Sequence, residues 1–467
     1  MEIAADSSRV EKLQMYAQAR MSRDRRFDGR FFVAVTSTGI FCRPICPAKL
    51  PLEKNVVYYE HASQALHHGF RPCLRCRPDS APESYAWQGV TTTVKRALSL
   101  LSEIPQQPIG NIANRLGIGE RYLNKLMQQS MGISAKEYQS FHRVLFAKKL
   151  LQQTQMSITE VACSADYCSA RQLQRAIQRY CKTTPSQLRT SASTNTLPIA
   201  LRLSFIGPYN WPQVRDFLAM RAIDGIEKVT AESYHRVIEV AGKKGSFTAT
   251  YNEKDHGFDV SLVLQDIRSL YATLEKIKIL LDLNADPYAI EQSLQNAGIP
   301  SDALLAGLRL PGTWDVFESG CRAIVGQQVS VKAAIGQATL LANTLHKQQT
   351  DADSTRVCFP NARTVAQSDL SFLRMPESRK RTLKNFAIFM ANNEGAETLD
   401  DDAILAIKGI GQWTLDYINM RGKKAPDVYL AGDLIVRKMA AKYPLNPKRA
   451  APWRSYLTLQ LWEMSNQ

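Results

Sequence analysis

Near the start of the chain the apolar positions fall in short runs. Phe31-Phe32-Val33-Ala34-Val35 and Asn55-Val56-Val57-Tyr58-Tyr59 are rich in β-formers and bounded by Gly and Pro, which predicts a small sheet. Further on the spacing becomes helical and repeats. Ile109, Ile112 and Ala113 recur 49 residues later as Ile158, Val161 and Ala162, while Leu123, Leu126 and Met127 recur 50 residues later as Leu173, Ala176 and Ile177. A duplicated helix pair with one extra turn residue accounts for both offsets. From Ile206 onward, runs such as Val237-Ile238-Glu239-Val240 and Phe247-Thr248-Ala249-Thr250 predict a sheet lobe, and from about Leu270 the pattern is helical to the end. Pro78-Asp79-Ser80-Ala81-Pro82-Glu83-Ser84 and Thr190-Ser191-Ala192-Ser193-Thr194-Asn195-Thr196 read as linkers. The expected organisation is multidomain α+β: a small α/β domain at 1–80, an all-α double helix-turn-helix domain at 85–190, a small sheet lobe at 198–275 and a helical body at 276–467.

Length supports this division, since 467 residues at roughly 100–200 per domain make about three folding units, each able to bury a core. Charge narrows the partners. Lys and Arg number 59 against 43 Asp and Glu, a net charge of +16 that favours a polyanion, either nucleic acid or an anionic membrane. No run of about eighteen apolar residues occurs, the first ten residues lack a basic-then-apolar leader pattern, and no lipidation box closes the sequence. The expectation is therefore a cytoplasmic protein that takes no membrane partner. The nine cysteines are too few and too uneven for a disulfide framework, and four of them lie in the first eighty residues.

Those four are Cys42-x3-Cys46 and Cys73-x2-Cys76, two short-spaced pairs of the kind that hold one tetrahedral Zn2+. A purely structural zinc would satisfy the spacing. The surrounding Arg43, Lys49, Arg71, Arg75 and Arg77 open a second reading, because four thiolates and one Zn2+ carry about −2, stay nucleophilic, and sit where phosphate is attracted. Gly39-Ile40-Phe41-Cys42-Arg43-Pro44-x-Cys46, Asn55-Val56 and Gly69-Phe70-Arg71-Pro72-Cys73-x-Arg75-Cys76-x-Pro78-Asp79 resemble the N-terminal domain of the adaptive-response (Ada) regulators. The resemblance implies that Cys42 accepts a methyl group from a DNA methylphosphotriester, that the zinc both holds the fold and activates the thiolates, and that Arg43, Arg71 and Arg75 meet DNA. Methylation would remove one negative charge beside the DNA backbone and strengthen binding. The Pro-Cys-His-Arg box of that family's second alkyltransferase domain does not occur in this chain, so repair of O6-methylguanine is not expected.

In the duplicated unit the second helix of each pair offers Arg121, Asn124, Lys125 and Gln128, then Arg171, Gln172, Gln174, Arg175 and Gln178. Arg, Asn and Gln pair bidentately with guanine and adenine edges, although a solvated helix face would look alike. With Gly132-Ile133-Ser134 and Thr184-Pro185-Ser186-Gln187-Leu188-Arg189 closing the two pairs, the region resembles the AraC-type DNA-binding domain. That implies double-stranded DNA as partner, RNA polymerase at regulated promoters, and DNA contacts through Arg121, Lys125, Arg171 and Arg175. Asp166-Tyr167 departs from the family's Gly-Phe and predicts an altered turn. Cys163, Cys168 and Cys181 read as core or semi-exposed thiols.

The third region contains Lys408-Gly409-Ile410-Gly411-Gln412-Trp413, which reads as a hairpin between two helices, its glycines letting backbone amides approach a phosphate. Asp433 follows Trp413 by twenty residues, and the pair resembles the helix-hairpin-helix glycosylases of base excision. Leu308-Arg309-Leu310-Pro311-Gly312, Arg322-Ala323-Ile324-Val325-Gly326-Gln327-Gln328-Val329-Ser330-Val331 and Pro452-Trp453-Arg454-Ser455-Tyr456 resemble more closely the AlkA-type 3-methyladenine DNA glycosylases. The resemblance implies Asp433 as the catalytic carboxylate, Gln328 as the wedge filling the gap left by a flipped base, Phe217, Trp413, Tyr417 and Trp462 as the base pocket, and Gly409 and Gly411 on DNA. Strand-cutting relatives have lysine where Trp413 stands, so no Schiff base with the sugar can form and a monofunctional hydrolase is expected. Asp433 also reads as a helix N-cap, Asp416 and Asp427 are rival carboxylates, and Trp453 reads as core. Two functions stay open: a repair enzyme that also regulates transcription, and a glycosylase whose N-terminal domains only target it to DNA.

Overall fold

The computed structural model describes residues 2–24, 27–28, 30–60, 62–73, 75–76, 78, 92–189, 198–349, 357–396 and 399–465. Apart from Pro78, both predicted linkers lie outside the described residues, as does Arg77. The chain forms two compact units, residues 1–207 with 252–275 and 283–285, and residues 208–251 with 276–282 and 286–467. The strands of the predicted 198–275 lobe contribute to both.

The first unit opens with helix α1 (Glu2–Met21) and a four-stranded sheet of β1 (Phe32–Val35), β2 (Ile40–Cys42), β3 (Val56–Tyr59) and β4 (Arg71–Pro72), in the order β3-β1-β2-β4, with α2 (Ala62–His67) packed on it. Six helices follow: α3 (Thr92–Ser102), α4 (Ile109–Arg115), α5 (Glu120–Met131), α6 (Ala135–Gln153), α7 (Ile158–Ser164) and α8 (Ala170–Cys181). A short α9 (Pro185–Leu188) closes the series, and β5 (Ile199–Ser204) pairs antiparallel with the later strand Gly257–Leu264. Phe32, Ala34, Phe41, Ala65 and Leu66 from the sheet and α2 are buried in the same apolar cluster as Leu98, Ile112, Leu123, Met127 and Phe141 from the helices. The first two sequence regions thus share one core.

The predicted duplication is visible as α4–α5 and α7–α8. Of the repeated positions Leu123 and Met127 are buried along α5 and Leu173 and Ile177 along α8, with Leu126 and Ala176 half-buried, and Met131 and Cys181 extend the two buried stripes. The turns match as well. Gly117 (φ +69) in the first pair is replaced by Asp166 (φ +59) in the second, and the left-handed turn predicted to change is kept. Asp166 supplies its own bracing: its carboxylate accepts from the Gln106 amide at 2.9 Å, and Arg143 donates to its carbonyl at 2.9 Å while lying over the Tyr167 ring at 4.1 Å.

The second unit begins with α10 (Trp211–Arg221) and the antiparallel strands β6 (Glu227–Val229), β7 (Ser233–Val240) and β8 (Lys243–Asn252); the strand Gly257–Leu264 of the first unit is β9. Its body holds the second half of α11 (Leu270–Leu280), whose first half belongs to the first unit, and α12 (Pro287–Asn296), α13 (Val316–Val325), α14 (Val331–Gln349), α15 (Ala362–Gln367) and α16 (Glu377–Asn392). It ends with α17 (Asp401–Leu405), α18 (Gln412–Tyr417), which runs into a π-turn at Ile418–Gly422, α19 (Leu434–Ala440) and α20 (Arg454–Met464). Phe317, Ile324, Leu341, Leu383, Phe386 and Ile418 sit at the centre of its core. A largely buried ion network binds sheet to body: Arg236 pairs with Glu227 at 3.0 Å and with Glu318, and Arg322 reaches Glu227 at 2.5 Å and Glu318 at 2.7 Å. Among the described residues no helix is long and apolar enough to cross a membrane.

Candidate active site and metal centre

The α17–hairpin–α18 segment carries the predicted Gly-x-Gly. Gly409 has φ +96, and a Cβ there would lie 2.0 Å from Thr382 Oγ1, so only glycine fits; an added Cβ on Gly411, the N-cap of α18, would meet nothing within 4 Å. Thr382 Oγ1 donates to the Lys408 carbonyl at 3.0 Å, pressing α16 against the hairpin.

Asp433 is the N-cap of α19, and its Oδ1 accepts from the Ile435 and Val436 amides at 2.9 and 3.1 Å. Both indoles converge on the same group. Trp413 Nε1 donates to Oδ2 at 3.3 Å and Trp462 Nε1 to Oδ1 at 3.2 Å. The capping role read from sequence is therefore present, and it is combined with two donors that fix the carboxylate beside aromatic faces. The Trp413 and Tyr417 rings stack at 5.5 Å, and Phe217 and Trp462 at 6.5 Å. The rival carboxylates are engaged elsewhere: Asp416 accepts from Gln412 at 2.8 Å, and Asp427 is paired with Arg454, which holds its carboxyl below the ordinary range. Trp453 is buried, as expected of core.

Sequence reasoning did not single out Arg221 and Arg421. Arg421 donates to the Pro311 and Gly312 carbonyls and to the Tyr417 hydroxyl at 2.9 Å, and its guanidinium lies 4.6 Å from the Phe217 ring, with Arg221 at 3.8 Å. Burial would push the Tyr417 phenol up, but Arg421, Arg221 and Arg322 outweigh it and hold it below its ordinary value; burial lowers Arg221 to about 10. The four-residue steps from Phe217 to Arg221 and from Tyr417 to Arg421 were the available signals. Gln328, the predicted wedge, is exposed in a left-handed conformation (φ +55) on the loop between α13 and α14, flanked by exposed Val329 and Val331.

In the first unit the parallel pairing of β2 with β4 sets Ile40 beside Arg71 and Phe41 beside Pro72, so the chain leaves the two strands at Cys42 and Cys73. With Cys46 and Cys76 from the turns that follow, the four sulfurs all lie within 4.8 Å of one another. Four convergent thiols, three of them buried, fit a soft tetrahedral cation, and the chain binds one structural zinc there. Cys42 is the least buried of the four. It opens onto a cavity of about 540 Å³ whose lining includes Lys49, Arg71, Arg75 and Lys148. Arg71, Arg75 and Lys49 are exposed, whereas Arg43, expected on DNA, pairs its guanidinium with buried Asp28 and donates its amide to Cys76 Sγ at 3.3 Å.

On the duplicated helices Arg121, Lys125, Arg171 and Arg175 are exposed. Two polar residues expected beside them are used structurally instead: Asn124 Oδ1 accepts from the Ala135 amide at 3.1 Å, and Gln172 Oε1 from the Cys168 amide at 2.9 Å. Cys163 and Cys181 are half-buried and buried, and Cys168 is exposed.

Comparison with known families places the metal-binding domain of Ada at residues 15–79, a helix-turn-helix domain at 94–191 and the AlkA N-terminal domain at 200–315. The chain is 33% identical over 473 residues, 95% of each protein, to a probable bifunctional transcriptional activator/DNA repair enzyme AlkA of Mycobacterium tuberculosis. It is 33% identical to DNA-3-methyladenine glycosylase 2 of Escherichia coli over 274 residues, covering 56% of this chain and 95% of that one. Over 144 residues it is 33% identical to the E. coli bifunctional transcriptional activator/DNA repair enzyme Ada, 31% of this chain and 40% of that one.

Proposed function

Because the chain belongs to the family of bifunctional AlkA-type transcriptional activators and DNA repair enzymes, we propose that it excises alkylated bases such as 3-methyladenine from DNA by monofunctional hydrolysis, with Asp433 as the catalytic carboxylate. The observation that carries this reading is the convergence of Trp413 and Trp462 on the two oxygens of Asp433. A flipped nucleotide would present its base to the aromatic faces and its sugar to this carboxylate, which stabilises the oxocarbenium character that develops as the glycosidic bond breaks and orients the attacking water. Gln328 would fill the vacated stack, and the hairpin amides at Gly409 and Gly411 would hold the backbone. Trp413 offers no amine, so the product is an abasic site.

The N-terminal half serves as methyl acceptor and regulator. Cys42 Sγ would attack the methyl carbon of a methylphosphotriester; the S–CH3 bond forms, the O–CH3 bond breaks, and a phosphodiester anion leaves. The bound zinc lowers the thiol pKa so that a thiolate is available. Arg71 and Arg75 would take the phosphate, and Arg121, Lys125, Arg171 and Arg175 the promoter duplex, where RNA polymerase would be the partner. The domain limits proposed are 1–80, 85–190, 198–275 and 276–467. The deciding assay is release of free base from N-methylated duplex DNA by the parent and by Asp433→Asn, with strand breaks scored before and after alkali. Release by the parent alone, with breaks only after alkali, is expected; release by both would remove Asp433 from the chemistry, and breaks without alkali would overturn the monofunctional assignment.

A further inference from the structure

Between α13 and α14 the chain makes a five-residue loop that carries Gln328, and the residue before it is turned the other way. The Gln327 side chain reaches across to the hairpin, its Nε2 donating to the Gly409 carbonyl at 2.9 Å and to Thr414 Oγ1 at 3.1 Å. These partners lie 82 and 87 positions away in the sequence, and the hairpin is held at two adjacent carbonyls: Thr382 takes that of Lys408 and Gln327 the next one. Thr414 is itself buried in the first turn of α18, one residue after Trp413, so the acceptor is rigid. Gln328 stands in the left-handed region, a conformation a non-glycine residue keeps only when its surroundings impose it.

We propose that Gln327 is a positioning residue that latches the base-displacing loop to the phosphate-binding hairpin, so that wedge and clamp close on DNA as one body. The proposal rests on the glycosylase reading and adds a device to it. One primary amide donates to two acceptors, and among the described residues its own carbonyl oxygen meets no donor, which makes a donating NH2 the requirement at this position. A glutamate of the same size and ionised at neutral pH presents only acceptors to the Gly409 carbonyl and should spring the loop. Methionine fills the space and donates nothing.

The test uses the full chain and a duplex holding one N-methylated purine next to 2-aminopurine, whose fluorescence rises when the stack opens. Gln327→Glu and Gln327→Met are expected to bind undamaged duplex like the parent, to lose most of the fluorescence rise, and to excise on the order of ten-fold more slowly under single-turnover conditions. A merely structural glutamine would lower the melting temperature and leave base opening in the folded fraction unchanged. Should either variant fold poorly, Thr414→Val removes one acceptor and is expected to give a smaller loss of the same kind. Variants that open the stack and release base at the parent's rate would overturn the latch while leaving the glycosylase reading intact. A parent chain that releases no base would sink both.

Discussion

At Asp433 one oxygen accepts from two backbone amides while both indoles donate to the carboxylate, so the helix cap and the proposed chemistry would fall on the same two oxygens. The two are separable by choice of substitution. Asp433→Asn keeps an acceptor for the helix amides and should melt close to the parent, whereas Asp433→Ala also loses the cap, at about 1 kcal/mol; base release should fall by a factor on the order of 10² or more in both. Calorimetry beside the release assay checks this, and a fully active alanine variant would contradict it. The paired glycines make a similar contrast. Gly409→Ala must accommodate φ +96 and a side chain 2.0 Å from Thr382, and should cost roughly 2–4 kcal/mol in urea titration, while Gly411→Ala enters open space and should cost less than about 1 kcal/mol.

Elements here are held by a few polar devices that bridge distant segments. The turn between α7 and α8 keeps its left-handed residue because Asp166 bonds the Gln106 amide and Arg143, and Asp166→Ala is expected to lose roughly 2 kcal/mol, read from urea denaturation. The buried quartet joining β6, β7 and α13 has a pH signature. Burial would raise the Glu227 carboxyl, but Arg322 and Arg236 outweigh it and bring it from 4.5 down to about 2. A depressed carboxylate stabilises the fold above its unfolded value and ceases to do so as pH falls through its folded one. Glu227→Gln should therefore cost about 3–5 kcal/mol at pH 7, and the gap to the parent should narrow between pH 4.5 and pH 2; a constant gap would exclude the ion network as its source. Sequence spacing disclosed α5 and α8 because four of the six repeated apolar positions, Leu123, Met127, Leu173 and Ile177, are buried in them. It could not disclose Arg43 turning to Asp28 or Asn124 turning to Ala135, since both depend on which backbone or carboxylate the fold brings near.

On the scale of the whole chain, the two chemistries reside in different compact units and should be separable by metal removal. Exhaustive chelation is expected to abolish methyl transfer to Cys42 and leave base release from N-methylated DNA largely intact; simultaneous loss of both would contradict the assignment. Much of this division was legible in the sequence, because the cysteine quartet, the helical repeat and the Gly-x-Gly with Asp433 are each local patterns. What stayed hidden, Arg221 and Arg421 around Phe217 and Gln327 on Gly409, depends on contacts between residues far apart in the chain. The burial of Phe32, Phe41 and Leu66 against Leu98, Met127 and Phe141 bears on where such a chain can be divided. Cutting the chain after residue 80 would leave each piece a raw apolar face, so the metal domain and first helix pair are expected to fold only as one piece.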